Sequence, residues 1–154
     1  MDTQMNAAIK QTCRTCHVGT SNSFCEIRSA DLADLEKIRF RRSYPARATL
    51  FVQGQTCDGS FILCEGHVKL STSASDGRVV TFGIVGPGEL LGLSAALTNS
   101  DHETTAEALE DCHVNFLSKQ DLISFLNAHP DACLNAARQL SRDYHEAFKR
   151  VCSL

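Results

Sequence analysis

The stretch Gly83-Ile84-Val85-Gly86-Pro87-Gly88-Glu89-Leu90-Leu91-Gly92 decides the fold of this chain. Four glycines in ten residues exclude a helix or an unbroken strand. They mark tight turns, where the backbone takes positive φ or approaches a neighbour closely. Upstream, residues 60–64 and 67–71 read as strands joined through Glu65-Gly66, and Ser75-Asp76-Gly77 leads into a further strand at 78–82. An Asp-Gly pair between strand formers is a strong hairpin signal. The segment therefore reads as a small antiparallel β-roll. Just past the turn lies a short stretch where a small ligand could meet backbone amides.

The totals bound what this roll can belong to. A chain of 154 residues with 43% hydrophobic and 21% charged residues fits one soluble globular domain with a real core. It carries no apolar run of membrane-spanning length and no secretory signal in MDTQMNAAIKQ, so a cytoplasmic protein with no membrane partner is expected. A net charge of −3 gives no overall reason for nucleic-acid binding by this stretch. The anomaly is eight cysteines, which in such a protein read as metal, cluster or redox chemistry before disulfides.

Residues 1–28 are polar and irregular and carry Cys13, Cys16 and Cys25. A helix is expected from Ser29, read as its N-cap, with Leu32, Leu35 and Ile38 at helical spacing. The basic cluster Arg39, Arg41, Arg42 and Arg47 reads as a solvated face leading into a first strand at 49–52, in preference to a phosphate site. After Gly92, residues 93–97 allow no more than a turn of helix. Strands follow at 104–109 and 113–117. Ser118 with Asp121 then opens a short helix to about Asn127, and Pro130 suits the first turn of another.

In that last helix Cys133, Ala137, Leu140, Tyr144, Ala147, Val151 and Leu154 recur at 4-3 spacing, an a/d seam over about three heptads. Such a face either packs on its own roll or pairs with a second copy, and the regularity favours pairing. The pattern runs to the last residue without a capping glycine, which fits a blunt helix end or a longer protein.

Together these residues resemble the Crp/Fnr family of bacterial transcription regulators. The marks, over residues 29–154, are Phe51-Val-Gln-Gly54, Glu65-Gly66-His-Val68-Lys69-Leu70, Asp76-Gly77-Arg78, the Gly86–Gly92 turn and Ala106-Glu-Ala-Leu109-Glu110. Order and spacing make the signal specific. The resemblance implies a mainly β fold with flanking helices: a double-stranded β-helix (jelly roll) of the cyclic-nucleotide-binding type, residues 29–127, followed by a dimerisation helix, 128–154. It also implies a homodimer formed through that helix. DNA would be bound only through a helix-turn-helix domain that this chain lacks.

A cyclic-nucleotide pocket needs a carboxylate for the ribose hydroxyl and an arginine with a hydroxyl for the phosphate. The positions implied as pocket are Gly92, Leu93, Ser94, Thr104, Thr105 and Ala106. Family members that bind cAMP carry Glu where Leu93 stands and Arg where Thr104 stands. Glu89 belongs to the preceding turn. A buried phosphate without those anchors costs several kcal/mol, so cAMP is not the expected ligand.

The oxygen-sensing branch of the family has an N-terminal cysteine-rich arm and a fourth cysteine in the roll, together holding a [4Fe–4S] iron–sulfur cluster whose oxidation disrupts the dimer. The resemblance assigns Cys13, Cys16 and Cys25 to that arm. The gap of eight residues before Cys25 is wider than in that branch. The fourth ligand would align near Asn115, and Cys112, three residues earlier, is taken in its place although in a strand it faces the other way. Zinc on the same cysteines, with His17, and a metal-free thiol switch are the alternatives. Cys64 and Cys133 read as core or interface residues. Cys57 and Cys152 lie in polar or terminal positions with nothing nearby to argue reactivity. The remaining histidines lack metal-ligand spacing. No P-loop, nucleophile elbow or zincin helix is present, so an enzyme is not expected. A roll that senses another small molecule, or serves only as a dimerising module, remains the competing view.

Overall fold

A computed structural model of the chain describes residues 23–153. Among them are eight strands in two four-stranded antiparallel sheets. One sheet orders β1 (Phe40–Tyr44), β8 (Cys112–Ser118), β3 (Gly59–Glu65) and β6 (Leu90–Leu91). The other orders β2 (Thr49–Phe51), β7 (Thr105–Ala108), β4 (Val68–Ser73) and β5 (Val79–Val85). Apart from the β4–β5 hairpin, successive strands alternate between the sheets, which makes the expected double-wound roll. Helices α1 (Ser29–Ile38), α2 (Leu93–Thr98), α3 (Lys119–Ala128) and α4 (Pro130–Cys152) flank it.

Along β3 and β8 the first sheet is buried on both faces, and this explains the unbroken apolar run of β3. Phe61 and Leu63 enter a core between the sheets with Phe51, Val68, Leu91, Val114 and Phe116. Ile62 points the other way, into a second core with Leu90, Leu117, Leu122, Phe125 and the arm residue Phe24. Alternation along one strand thus feeds two cores. At the β3–β4 turn Gly66 has φ +96°, and a Cβ there would lie 2.6 Å from Cys112 Sγ, so this turn admits only glycine.

Several local expectations hold. Ser118 Oγ accepts from Asp121 N at 3.2 Å and caps α3, Pro130 occupies the first turn of α4, and Asp76-Gly77 turns β4 into β5. Others are corrected. The cap of α1 is Arg28, with Ser29 already inside the helix and no side-chain bond closing the end. The basic cluster contains a strand, β1, whose residues are mostly exposed because it pairs only with β8 at the sheet edge. Residues 93–98 form a longer helix than expected, entered through Gly92 at φ +77°.

α4 separates its two faces. Ala132, Asn135, Ala136 and Gln139 are buried against the roll. Of the seam, Cys133 and Ala137 are exposed, Leu140 and Ala147 are half-buried with Leu140 packed on the helix-side core, and Tyr144 and Val151 are 68% and 67% exposed. Leu154 lies outside the described residues. Phe148, also exposed, stacks beside Tyr144 and extends the apolar strip.

Candidate functional site

Two regions carry chemistry. The first is the segment around Gly92. Leu93 is buried in the helix-side core, Ala106 in the core between the sheets, and Ser94 is exposed. Thr104 and Thr105 are half-buried, and Thr105 Oγ1 accepts from Gln53 N at 3.0 Å. Glu89 is committed to its own turn, its carboxylate accepting from Gly86 N at 2.8 Å. These six pocket positions therefore present neither a carboxylate nor a guanidinium.

Sequence reasoning missed His102. It sits in a polar loop, yet only 6% of it is exposed. Its ring stacks on Phe51 with centroids 3.9 Å apart, and its Cε1 lies 3.0 Å from where a Cβ on Gly92 would be. Burial holds the imidazole below its ordinary pKa, against the weaker opposing pull of Glu103 and Asp58. His102 lines a cavity of about 200 Å³ with Arg42, Phe51, Asp58, Phe61 and Phe116. The Arg42 guanidinium rests 4.1 Å from the Phe116 ring centre, a cation–π contact. None of the six pocket positions lines this cavity.

The second region is the cysteine-bearing arm. Cys13, Cys16 and His17 lie outside the described residues. Cys25 is half-buried and packs on the helix-side core. Its segment is tied down at several points. Phe24 N donates to Gly88 O at 3.0 Å, and Ser23 Oγ donates to the same oxygen while accepting from Cys25 N. From α4, Asn135 Nδ2 donates to Phe24 O and Glu26 O at 3.4 and 3.1 Å. Nearby, His129 at the start of α4 bridges α1, with Nδ1 3.0 Å from Asp31 and Nε2 3.4 Å from Asp34.

Cys112 stands apart from Cys25. It is 1% exposed and belongs to the core between the sheets. Its thiol contacts His67 O and Glu110 O, and burial raises its pKa, which disfavours the thiolate. Cys57 proves to be a buried core residue rather than part of a polar turn, its pKa likewise raised by burial. Cys64, expected in a core, is half-buried and belongs to neither apolar cluster. Among the described residues no three His, Cys, Asp or Glu side chains gather as a metal site, nor is any helix long and apolar enough to cross a membrane.

With this geometry in hand, residues 41–129 match the model of the cyclic nucleotide-binding domain. The cyclic AMP receptor protein of Thermus thermophilus is 30% identical over 107 residues, 70% of this chain and 50% of that protein. The chain belongs to the cyclic nucleotide-binding domain family, and its relatives are Crp-type proteins. A CRP-like cAMP-activated global transcriptional regulator of Mycobacterium tuberculosis is 24% identical over 119 residues, 77% of this chain and 53% of that one. The structure of the Thermus thermophilus catabolite activator protein superposes with a TM-score of 0.75 at 26% identity, covering 85% of this chain and 62% of that one. A CooA mutant from Carboxydothermus hydrogenoformans shares the fold at a TM-score of 0.72 and 14% identity, covering 88% of each chain. The sequence relatives are receptors and transcription regulators rather than enzymes, and the family member described here spans about half their length.

Proposed function

We propose that this chain is the sensor and dimerisation part of a Crp/Fnr-type transcription regulator. In this reading it senses oxygen or redox state through a [4Fe–4S] cluster held by the thiolates of Cys13, Cys16, Cys25 and a fourth cysteine. DNA contact would belong to a domain outside this chain. When bound, the cluster supplies an oxygen-sensitive redox centre.

The observation that carries the reading is the fastening of the Cys25 segment to α4 through Asn135. A change of state at Cys25 then bears directly on the helix that presents the apolar strip. The strip itself, with Tyr144, Phe148 and Val151 exposed, supports a homodimer, because an unpartnered amphipathic face of this kind loses apolar surface to water until a second copy covers it. The printed names of the sequence relatives refer to cAMP, but here Leu93 and Thr104 provide none of the charge that a cyclic nucleotide needs.

The test is to purify the protein without oxygen, record its visible absorption and assay iron and acid-labile sulfide. A brown protein with about four irons per chain that bleaches in air supports the reading. A colourless, iron-free protein after reconstitution refutes it, and zinc without sulfide replaces it with a structural metal. The cavity beside His102 favours a second reading, a small effector bound in the roll. Its size, about 200 Å³, falls below that of a nucleotide pocket, and a melting-temperature screen with small carboxylates would reveal such a ligand.

A further inference from the structure

We propose that the cavity beside His102 binds a small aromatic monocarboxylate that carries a hydroxyl, of the size of 4-hydroxybenzoate. The proposal deepens the second reading above and stands whether or not the arm holds a cluster. The cavity opens between the edges of the two sheets, since Arg42 belongs to β1 and Phe51 to β2, the outer strand of each. Neither β4 nor β5 lines it, nor does any of the six positions at which the family resemblance places a ligand. Phe51, Phe61 and Phe116 wall its inner part, all three being buried. Arg42 and Asp58 stand exposed at its mouth.

The polar groups of this cavity lack partners. His102 is 6% exposed, yet among the described residues neither of its ring nitrogens has a hydrogen-bond partner. Its place is fixed all the same. The ring stacks on Phe51, and His102 N donates to Gln55 O at 2.9 Å while Gly54 N donates to His102 O at 2.8 Å. These bonds tie its loop to the segment that carries Asp58. A neutral imidazole offers one N–H donor and one acceptor, and a buried group left unpaired costs stability that a bound partner restores. The Arg42 guanidinium rests 4.1 Å from the Phe116 ring centre and 5.9 Å from that of Phe61, with no carboxylate paired to it among the described residues. Stacking of this kind leaves the N–H edge free to hold a carboxylate by two bonds. Asp58, likewise without an ion pair among the described residues, opposes a second negative charge and so selects a monoanion over a dianion or a phosphate. A cavity of about 150 Å³ holds benzene. The volume here, about 200 Å³, leaves room for one ring with two small substituents, packed against the aromatic walls. A carboxylate for Arg42 and a hydroxyl for His102 on one such ring satisfy both groups at once.

The assignment is tested by titration calorimetry of the wild type, Arg42→Gln and His102→Phe with 4-hydroxybenzoate, benzoate and terephthalate. The wild type should bind 4-hydroxybenzoate, bind benzoate about tenfold more weakly for want of one hydrogen bond, and refuse terephthalate with its second carboxylate. Arg42→Gln should weaken both monocarboxylates at least tenfold. His102→Phe keeps a ring stacked on Phe51 but no nitrogen, so it should bind the two equally, at the benzoate level. Equal binding of the two acids by the wild type, or full affinity in Arg42→Gln, overturns the assignment while leaving a ligand in the roll. If neither acid binds but another small carboxylate raises the melting temperature, the ligand class is wrong. If none does, the second reading falls, and the assignment with it. Should His102→Phe fold poorly, amide NMR of the wild type decides the matter. Adding 4-hydroxybenzoate should shift the amides of Phe51, Gly59 and His102 and leave those of Leu93 and Ser94 in place; the reverse pattern would overturn the proposal.

Discussion

The side-chain amide of Gln139 on α4 is bonded at both ends to one residue, Leu90 of β6: Oε1 accepts from Leu90 N at 2.7 Å and Nε2 donates to Leu90 O at 2.6 Å. One helical turn earlier, Asn135 holds the backbone on either side of Cys25. The two amides share a face, as i and i+4 must, and both are buried. One helix is thereby registered against the cysteine arm and against the strand that runs into Gly92. In the proposed reading, a change at either place would be carried by the one helix that holds both.

Replacing Gln139 by Leu keeps the volume and the apolar contacts but strands Leu90 N and Leu90 O without partners. Leaving two buried backbone groups unsatisfied should lower stability by about 2–4 kcal/mol, read as an earlier urea midpoint. Gln139→Glu should recover only part of this, since it can accept from Leu90 N but not donate to Leu90 O. Two variants of wild-type stability would show that the amide is not needed.

The exposed strip on α4 gives the opposite expectation for stability. Tyr144 and Val151 make little contact with their own roll, so Tyr144→Asp should change the monomer's stability by no more than about 0.5 kcal/mol. In a symmetric pair the same carboxylate meets an apolar seam and its own copy, and the dimer should dissociate. Sedimentation equilibrium should show dimeric wild type and monomeric variant. A monomeric wild type, or a variant that unfolds, contradicts this placement of the interface.

Much of this was legible from the residues, and the failures have a common cause. The hairpins at Gly66 and Asp76-Gly77 and the cap at Ser118 are local chemistry, and each appears where the sequence places it. The strand Phe40–Tyr44 was hidden because an edge strand with polar side chains has no alternation to read. The face by which α4 packs on its own roll escaped notice because two of its four buried residues are amides, so an apolar count finds only the outer strip. His102 lay between acidic neighbours in a polar loop and gave no sign of burial. For the cysteines, a period of two assigns faces until a bulge breaks it, and the bulge at Cys64 depends on pairing with a strand some fifty residues away.

His102 should make stability depend on pH in a definite direction. Its folded-state pKa lies below the ordinary 6.5 because burial disfavours the imidazolium. Between the two values the unfolded chain binds a proton that the folded chain refuses. The stability contributed by the neutral ring is thus complete above about pH 6.5 and is lost as pH falls through the folded pKa. The gap in urea midpoint between wild type and His102→Gln should narrow on acidification from neutral pH. A gap that stays constant would mean that the ring is solvated in the folded protein.

The pocket makes the last prediction, and it sets this chain against the names of its relatives. Adding cAMP should leave the melting temperature unchanged, whereas a true ligand at a hundred times its Kd would add about 2.7 kcal/mol. Nor should the missing carboxylate be restorable by one change. Leu93 is 2% exposed and belongs to the helix-side core with Leu90, Ala96 and Leu122, so Leu93→Glu places an ionisable group among apolar side chains and should destabilise the fold by several kcal/mol. Thr104→Arg, at a half-buried position, should be tolerated but confer no binding alone. If the single Thr104→Arg variant binds cAMP, or if Leu93→Glu folds as stably as the wild type, then the position is a vacant nucleotide anchor. If both behave as expected, Leu93 is a core residue, and the roll has exchanged its anchor for packing beneath the short helix it begins.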